Sequence, residues 1–170
     1  ARPDSTTQGF LPYPRPKKEP MSASTSYAPE HCKDKVYNQG EQGLDCGWSC
    51  PNKCNFAEKC GELTEDETWE GNIQVNCYVT VPAGITLTIE PGTIVKFHHD
   101  RDYKTFGRAG LSVNGGNFIA IGNKDKMIWF TSDAKDPING DWMHINIDHS
   151  KNSKFDHVIV EFAELGISQF

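Results

Sequence analysis

The stretch Ile85-Thr-Leu-Thr-Ile-Glu-Pro-Gly-Thr-Ile-Val-Lys-Phe97 decides the fold of this chain. Its first five residues alternate between apolar and polar side chains, which is the period of a β-strand with one buried face. The turn Glu90-Pro91-Gly92 interrupts the alternation, and a second β-branched run starts immediately after it. The stretch therefore predicts two short strands joined by a tight corner.

Similar blocks of strand and corner recur along the chain. When Ile85 is aligned with Leu111, the segment Leu111-Ser-Val-Asn-Gly-Gly-Asn-Phe-Ile-Ala-Ile121 repeats the order of strand, glycine-containing corner and strand. Further strand-like blocks fall at 127–132, 142–147 and 155–162, with no convincing helical segment between them. Many short strands fit either an antiparallel sandwich or barrel, or a parallel solenoid. The recurrence favours the solenoid, in which each coil buries its inward residues against neighbouring coils.

Four segments resemble the beginning of the right-handed parallel β-helix domains of secreted and cell-surface proteins from bacteria and archaea. They are Leu63–Gly71, Val79–Phe97, Phe130–Ser132 and Gly140–Trp142, so the resemblance covers most of the chain beyond position 61. It implies an all-β fold, with a right-handed parallel β-helix of about four coils over residues 61–170. In that family the Thr-Trp segment leads into the helix, and the matched segments carry no catalytic residues.

Residues 1–30 form a tail that is rich in proline, serine and threonine and holds six of the ten prolines. The tail shows neither helical nor strand periodicity, so we expect an extended segment without a core of its own. A linker is the simplest interpretation. Four apolar or aromatic residues are also candidates for binding a protein partner: Phe10, Leu11, Tyr13 and Tyr27.

Residues 31–60 are predicted to form a Cys-rich module. Five of the six cysteines lie between positions 32 and 60, and the sixth follows soon after: Cys32, Cys46, Cys50, Cys54, Cys60 and Cys77. Crowded cysteines of even number indicate a disulfide framework and an oxidising compartment. A zinc site is the alternative, but CxxC pairs are lacking and His31 is the only histidine nearby. The sequence does not choose among the possible disulfide pairings.

The run from Cys32 to Cys54 resembles a short module of secreted bacterial surface proteins. The pattern of that module is Cys…Asn-x-Gly-Glu-x-Gly-x-Asp-Cys-Gly-Gly-x-Cys-x-x-Cys. The match is good through Asp45-Cys46-Gly47. It departs at Trp48, where a second glycine is usual, and the last gap between cysteines is longer than in the pattern.

Oxygen-bearing side chains recur at short, regular intervals within the module, at Asp34, Asn38, Glu41 and Asp45. Oxygen ligands that converge in one loop can bind calcium, so these side chains form a candidate calcium site. The spacing is not that of an EF-hand. The alternative is that Asp and Asn bond to the backbone of their own turns.

The overall composition is that of a polar, acidic protein. The net charge is -6, the isoelectric point is about 5.5 and the mean hydropathy is -0.59. A nucleic-acid-binding surface needs clustered Lys and Arg, so we expect no nucleic-acid partner. No apolar run approaches the length of a membrane span.

The chain starts at Ala1, as signal-peptide cleavage would leave it, so we expect an extracellular or cell-surface location, with the periplasm as an alternative.

The conspicuous polar cluster is His98-His99-Asp100-Arg101-Asp102, directly after a predicted strand. It could hold a metal ion, but a solvated loop is the favoured interpretation. A joint site of the dispersed histidines His144, His149 and His157 with Asp148 or Asp156 is a weaker alternative. We expect Trp129 and Trp142 to pack in the core or beneath a lid rather than to bind sugars, and Trp69 to close the entrance of the helix.

No acidic residue lies in a recognisable catalytic motif, so we predict no catalytic residues. The preferred function is a non-catalytic extracellular or cell-surface structural or binding protein, without a cofactor other than calcium. One alternative is a polysaccharide lyase or glycoside hydrolase with its site beyond this stretch, since β-helix proteins include such enzymes. The other is an accessory subunit that docks through its tail. A carbohydrate is a further candidate for the binding partner.

The last predicted coil has no polar cap after residue 166. An uncovered strand edge promotes aggregation. We therefore expect that edge to contact a protein partner or further coils of the same protein.

Overall fold

The computed structural model describes residues 29–38, 40–100 and 108–169. Nearly all of the predicted tail lies outside the described residues, as do its candidate partner-binding residues Phe10, Leu11, Tyr13 and Tyr27. Residues 101–107 of the predicted loop also lie outside them.

Short β-strands make up nearly all of the regular structure in these ranges, as the alternating blocks predict. One short 3-10 helix, Glu30–Lys33, precedes them. The strands are β1 (Ala57–Glu62), β2 (Glu67–Trp69), β3 (Asn72–Pro82), β4 (Thr86–Ile89), β5 (Ile94–Phe97), β6 (Gly110–Asn114), β7 (Asn117–Ile121), β8 (Ile128–Ser132), β9 (Trp142–Asp148), β10 (Lys154–Asp156), β11 (Val158–Val160) and β12 (Ala163–Gln169). No helix among the described residues is long and apolar enough to cross a membrane.

The named strands pair in parallel throughout, which excludes the antiparallel sandwich or barrel. Strands β2, β4, β7 and β10 form a four-stranded sheet. The other eight strands form a second sheet, in which β3 has two sets of partners. Its residues 72–75 pair with β5, whereas residues 78–82 pair with β6. The strands thus form three parallel stacks around one core, and the sheet is nearly closed.

The strand register corrects the alignment of repeats that the sequence suggests. That alignment places Leu87 of β4 opposite Val113, but in the structure Leu87 lies opposite Phe118 of β7. The two similar segments, 85–97 and 111–121, hold β4–β5 and β6–β7 respectively, which belong to different pairs of stacks. The β4–β5 corner and the β6–β7 corner both consist of a strand, a glycine-containing turn and a second strand. The sequence comparison therefore aligned these two corners, although they lie at different positions in the fold.

Inward side chains from all three stacks fill a continuous core. Phe97 and Trp142 stack with their ring centroids 4.0 Å apart and their planes 6° apart. Trp142 is fully buried and donates from Nε1 to the carbonyl of Glu161 at 2.9 Å. Burial of each large apolar side chain contributes about 1.5–3 kcal/mol. The predicted core position of Trp142 is confirmed, and Trp69, at the first strand of its stack, is 1% exposed.

The corner at Glu90-Pro91-Gly92 needs a glycine. Gly92 has a φ of 85°, a left-handed conformation that residues with a Cβ rarely adopt. The amide of Thr93 donates to the carbonyl of Glu90 at 3.2 Å and closes the turn. The amide of Glu90 donates to the carbonyl of Trp69 at 2.9 Å, so the corner is also attached to the preceding strand of its stack.

All six cysteines are paired, as predicted, and the structure supplies the pairing that the sequence left open. Cys32–Cys50 and Cys46–Cys54 close the Cys-rich module on itself. Cys60–Cys77 joins β1 to β3. Because each cysteine sulfur is bonded to another, none of them can bind zinc, and the zinc alternative is wrong. Strand β1 already pairs with β3 at Ala57, so the strand body begins slightly before the predicted boundary at Gly61.

Glu67 is expected to stabilise the start of the strand body. Its Oε2 accepts hydrogen bonds from Lys59 Nζ and from Trp69 Nε1, both at 2.7 Å. Burial alone would raise the pKa of Glu67, but these two hydrogen bonds and the charge of Lys59 lower it below 4.5. A lowered pKa means that the folded state gains stability above pH 4.5 and loses it as the pH falls through the lowered value.

We therefore expect Glu67→Gln to reduce the free energy of unfolding by about 1 kcal/mol near neutral pH. The difference from the unmodified protein should shrink below about pH 4. Urea unfolding at a series of pH values measures both effects. Exposed Glu70 is the matched control, and an equal loss in Glu70→Gln would show that the hydrogen bonds of Glu67 are not the cause.

Candidate functional site

A row of polar side chains crosses the outward face of β3, β5 and β8. Gln74 lies opposite Lys96, and Lys96 lies opposite Thr131. Thr131 Oγ1 donates to Glu161 Oε1 at 2.7 Å, which extends the row beyond β11. Because Val95 and Phe97 belong to the core, Lys96 between them must face outward. It is nevertheless only 2% exposed.

The Cys-rich module buries Lys96. The ammonium nitrogen lies 5.0 Å from the ring centre of Trp48 and 5.6 Å from that of Tyr37. Tyr37 also makes an edge-to-face contact with Trp129 of β8, with centroids 5.4 Å apart. Cation–π and aromatic contacts of this kind attach the module to the outward face of the sheet. Trp129 therefore packs beneath the module and not in the core, which is the second of the two packing positions that the sequence predicts for it.

The electrostatics of the covered row favour a weakly held proton on Lys96. Burial lowers the pKa of the Lys96 ammonium to about 8, while the charges of Asp133 and Glu161 oppose the change. Burial also raises the pKa of the Tyr37 hydroxyl, and the charges of Glu161 and Glu41 add to the increase. An amine with a lowered pKa can act as a base or nucleophile if it becomes accessible. In this structure Trp48 and Tyr37 contact it.

Beside the covered row, the structure brings His98 and His99 to the carboxylate of Asp133. His98 Nδ1 lies 3.1 Å from Oδ2, and His99 Nδ1 lies 2.5 Å from Oδ1. The rings of His98 and His99 are 45% and 40% exposed, and the Asp133 side chain is 19% exposed. Two imidazoles and one carboxylate form a set that can bind a metal ion or hold a proton.

The predicted polar cluster at 98–102 is therefore divided. Its two histidines form a site with Asp133, whereas Asp100 is buried and its amide donates to the carbonyl of Asp141 at 3.3 Å. Sequence reasoning missed Asp133. A usable signal existed, because Asp133 directly follows the strand block 127–132, just as His98 directly follows the strand that ends at Phe97.

The four candidate calcium ligands lie within one short loop system, where hydrogen bonds engage oxygens of Asp34, Glu41 and Asp45, whereas Asn38 Oδ1 is buried without a hydrogen-bond partner. Asp34 Oδ2 accepts from Asn38 Nδ2 at 2.9 Å, and Asp45 Oδ1 accepts from the amide of Lys35 at 3.0 Å. Glu41 is 1% exposed and accepts from the amides of Asn38 and Asp45. Burial raises the pKa of Glu41, partly offset by these amides. Calcium binding stays a prediction.

The dispersed histidines have local partners. His144 Nε2 lies 3.0 Å from the hydroxyl of Tyr78. His149 Nδ1 and His157 Nδ1 each contact the carboxylate of the preceding residue, at 2.7 and 2.8 Å.

An open groove with a volume of about 790 Å³ lies between the module and the turns that precede β3, β5 and β8. Charged side chains of both signs line it, including Lys35, Glu90 and Lys126.

No protein-family model, curated protein or solved structure matches this chain.

Trp48 tests the attachment of the module. We expect Trp48→Ala to reduce the free energy of unfolding by about 1 kcal/mol, because it removes one of the two rings over a buried ammonium. Amide hydrogen exchange should also become faster in β5 and in the module. Trp48→Phe keeps a ring and should lose less. Val36 is a control that is likewise partly exposed, and an equal effect of Val36→Ala would contradict a specific role for Trp48.

Proposed function

We propose that this chain is an exported, non-catalytic scaffold or binding protein of the extracellular space or cell surface. The observation that carries the proposal is the attachment of a disulfide-closed module to a stack of parallel strands. Cys60–Cys77 connects β1 to β3, and the contacts of Trp48 and Tyr37 with Lys96 hold the module against the outward face. Such a body keeps its shape without a large core in the module.

The scaffold is inferred to be a right-handed parallel β-helix. The three stacks are visited in the same order by β4–β5–β6, β7–β8–β9 and β10–β11–β12. Each such set is one coil, and β2 with the two halves of β3 makes an earlier one. Parallel crossovers are right-handed in about 98% of cases, which supports the proposed hand. The resemblance to surface-protein β-helices supports the same architecture.

The three disulfides support an oxidising compartment outside the cytoplasm, because such bonds are rare where thiols are kept reduced. The extracellular space, the cell surface and the periplasm are all compatible with them.

The strands of the fourth coil support a role in assembly as a second candidate function. Each of β10, β11 and β12 has one neighbour among the described strands. Two apolar side chains near this edge, Leu165 and Ile167, are 62% and 45% exposed. Parallel pairing with a protein partner or with further coils would cover this edge. Such an accessory subunit would still be a non-catalytic scaffold.

The disulfide that joins β1 to β3 should contribute strongly to stability. We expect the double variant Cys60→Ser/Cys77→Ser to lose about 3 kcal/mol of unfolding free energy, the value for closure of a loop of this length. Limited proteolysis under non-reducing conditions should then cut near β1 while the later strands stay intact. The double variant Cys46→Ser/Cys54→Ser removes a disulfide that closes a shorter loop and should lose less stability. A greater loss in this variant would contradict the role assigned to Cys60–Cys77.

The enzyme alternative is tested by incubation of the full chain with neutral and acidic polysaccharides. A scaffold or binding protein should generate neither new reducing ends nor unsaturated sugar products, while affinity electrophoresis reports any binding. Turnover that disappears in Lys96→Met or Asp133→Asn would overturn the proposal in favour of a carbohydrate-active enzyme.

A further inference from the structure

We propose that His98, His99 and Asp133 form a binding site for a divalent transition-metal ion on the outward face of the scaffold. The site goes beyond the proposed scaffold function and does not depend on it. Its three side chains come from two separated segments of the chain, at the ends of β5 and β8.

The distances match the size of a metal site. One ligand atom from each of the three residues lies within 4.8 Å of the others. Nitrogen and oxygen ligands bind ions such as zinc at about 2.0–2.2 Å, which places neighbouring ligand atoms about 3–4 Å apart. Small movements of the two half-exposed rings would therefore be enough to admit an ion.

The backbone explains why two consecutive histidines reach the same carboxylate. Neighbouring residues of a strand point to opposite faces, but β5 ends at Phe97. The hydrogen bonds between parallel strands nevertheless continue for one residue beyond the end of β5 and for one residue beyond the end of β8. The amide of His98 donates to the carbonyl of Val75 at 2.8 Å, and the amide of Asp133 donates to the carbonyl of Phe97 at 3.0 Å. These bonds place Asp133 next to the point where the chain leaves the strand.

The carboxylate of Asp133 is held in place by further hydrogen bonds. Gln74 Nε2 donates to Oδ2 at 3.2 Å, and the amide of His99 donates to Oδ1 at 2.9 Å. Supporting bonds of this kind orient a ligand before the metal ion arrives. The two imidazole rings are half-exposed, so an ion can reach them from solvent.

The ligand set selects the class of ion. Imidazole nitrogen favours Zn²⁺, Ni²⁺, Cu²⁺ and Co²⁺, whereas Ca²⁺ and Mg²⁺ prefer oxygen ligands. Three protein ligands leave at least one coordination position open for water or a ligand. The ammonium of Lys96, which interacts with the charge of Asp133, opposes a cation and limits the affinity.

The second group of metal-capable residues does not compete in the oxidised protein. It comprises His31, Cys32, Glu41 and Cys50, but its two cysteines are bonded to each other. The test therefore uses the full chain with its disulfides intact and metal ions removed by a chelator.

Co²⁺ is then titrated in and followed by its visible absorption bands, and Zn²⁺ is titrated in a calorimeter. We expect one ion per chain, and at least about a tenfold loss of affinity in His98→Ala, His99→Ala and Asp133→Asn. An excess of Ca²⁺ should not displace the bound Co²⁺. Matched controls are His149→Ala and His157→Ala, since each of these histidines also contacts a carboxylate, and both should bind like the unmodified chain.

Two results would overturn the proposal. One is the absence of saturable Co²⁺ bands at one equivalent, which would leave a hydrogen-bonded His–Asp cluster. The other is an equal loss of affinity in the site variants and in the control variants. Circular dichroism and thermal unfolding of each metal-free variant establish that the site variants are folded, and bound Zn²⁺ should raise the midpoint only of chains with an intact site.

Discussion

The parallel register between successive strands of each stack is the constraint on which the rest of this structure depends. An inward side chain is buried by the strand before it and the strand after it in the same stack, and hardly by residues close to it in sequence. Phe97 accordingly packs near Phe130 of the next strand in its stack, with ring centroids 6.4 Å apart, and it also stacks on Trp142 of another stack across the core. The same register aligns outward side chains of neighbouring strands in rows, such as the row of Gln74, Lys96 and Thr131.

One outward row of polar side chains, which includes Lys96, is covered by the Cys-rich module, and this burial lowers the pKa of the Lys96 ammonium. A lysine on the outward face of a sheet would ordinarily reach solvent, but Lys96 is packed beneath Trp48 and Tyr37. Loss of hydration at the ammonium opposes this arrangement, whereas the two aromatic faces and the nearby carboxylates favour it. The disulfides hold the shape of the Cys-rich module, and so help to keep Trp48 and Tyr37 in position over the ammonium.

The local features of the fold could be predicted from sequence, whereas the features that depend on register could not. The alternation in 85–89 and the Pro-Gly corner indicate strands and turns because they act over a few residues. The strand partners depend on the unequal lengths of the connections, so the similar segments at 85–97 and 111–121 were aligned one corner apart. The disulfide pairing also depends on three-dimensional proximity, and the sequence correctly predicted only that the cysteines are bonded.

The candidate site shows the same division. His98 and His99 attract notice as consecutive polar residues after a strand, but nothing local connects them with Asp133, 34 positions beyond His99. The connection exists because Phe97 and Ser132 are register partners, so the residues that follow them leave the sheet at the same edge. A rigid stack of strands thus converts separate strand ends into a fixed arrangement of ligands. Parallel strands in register can in this way bring together side chains from separate segments, although no single segment carries a motif that would identify the site.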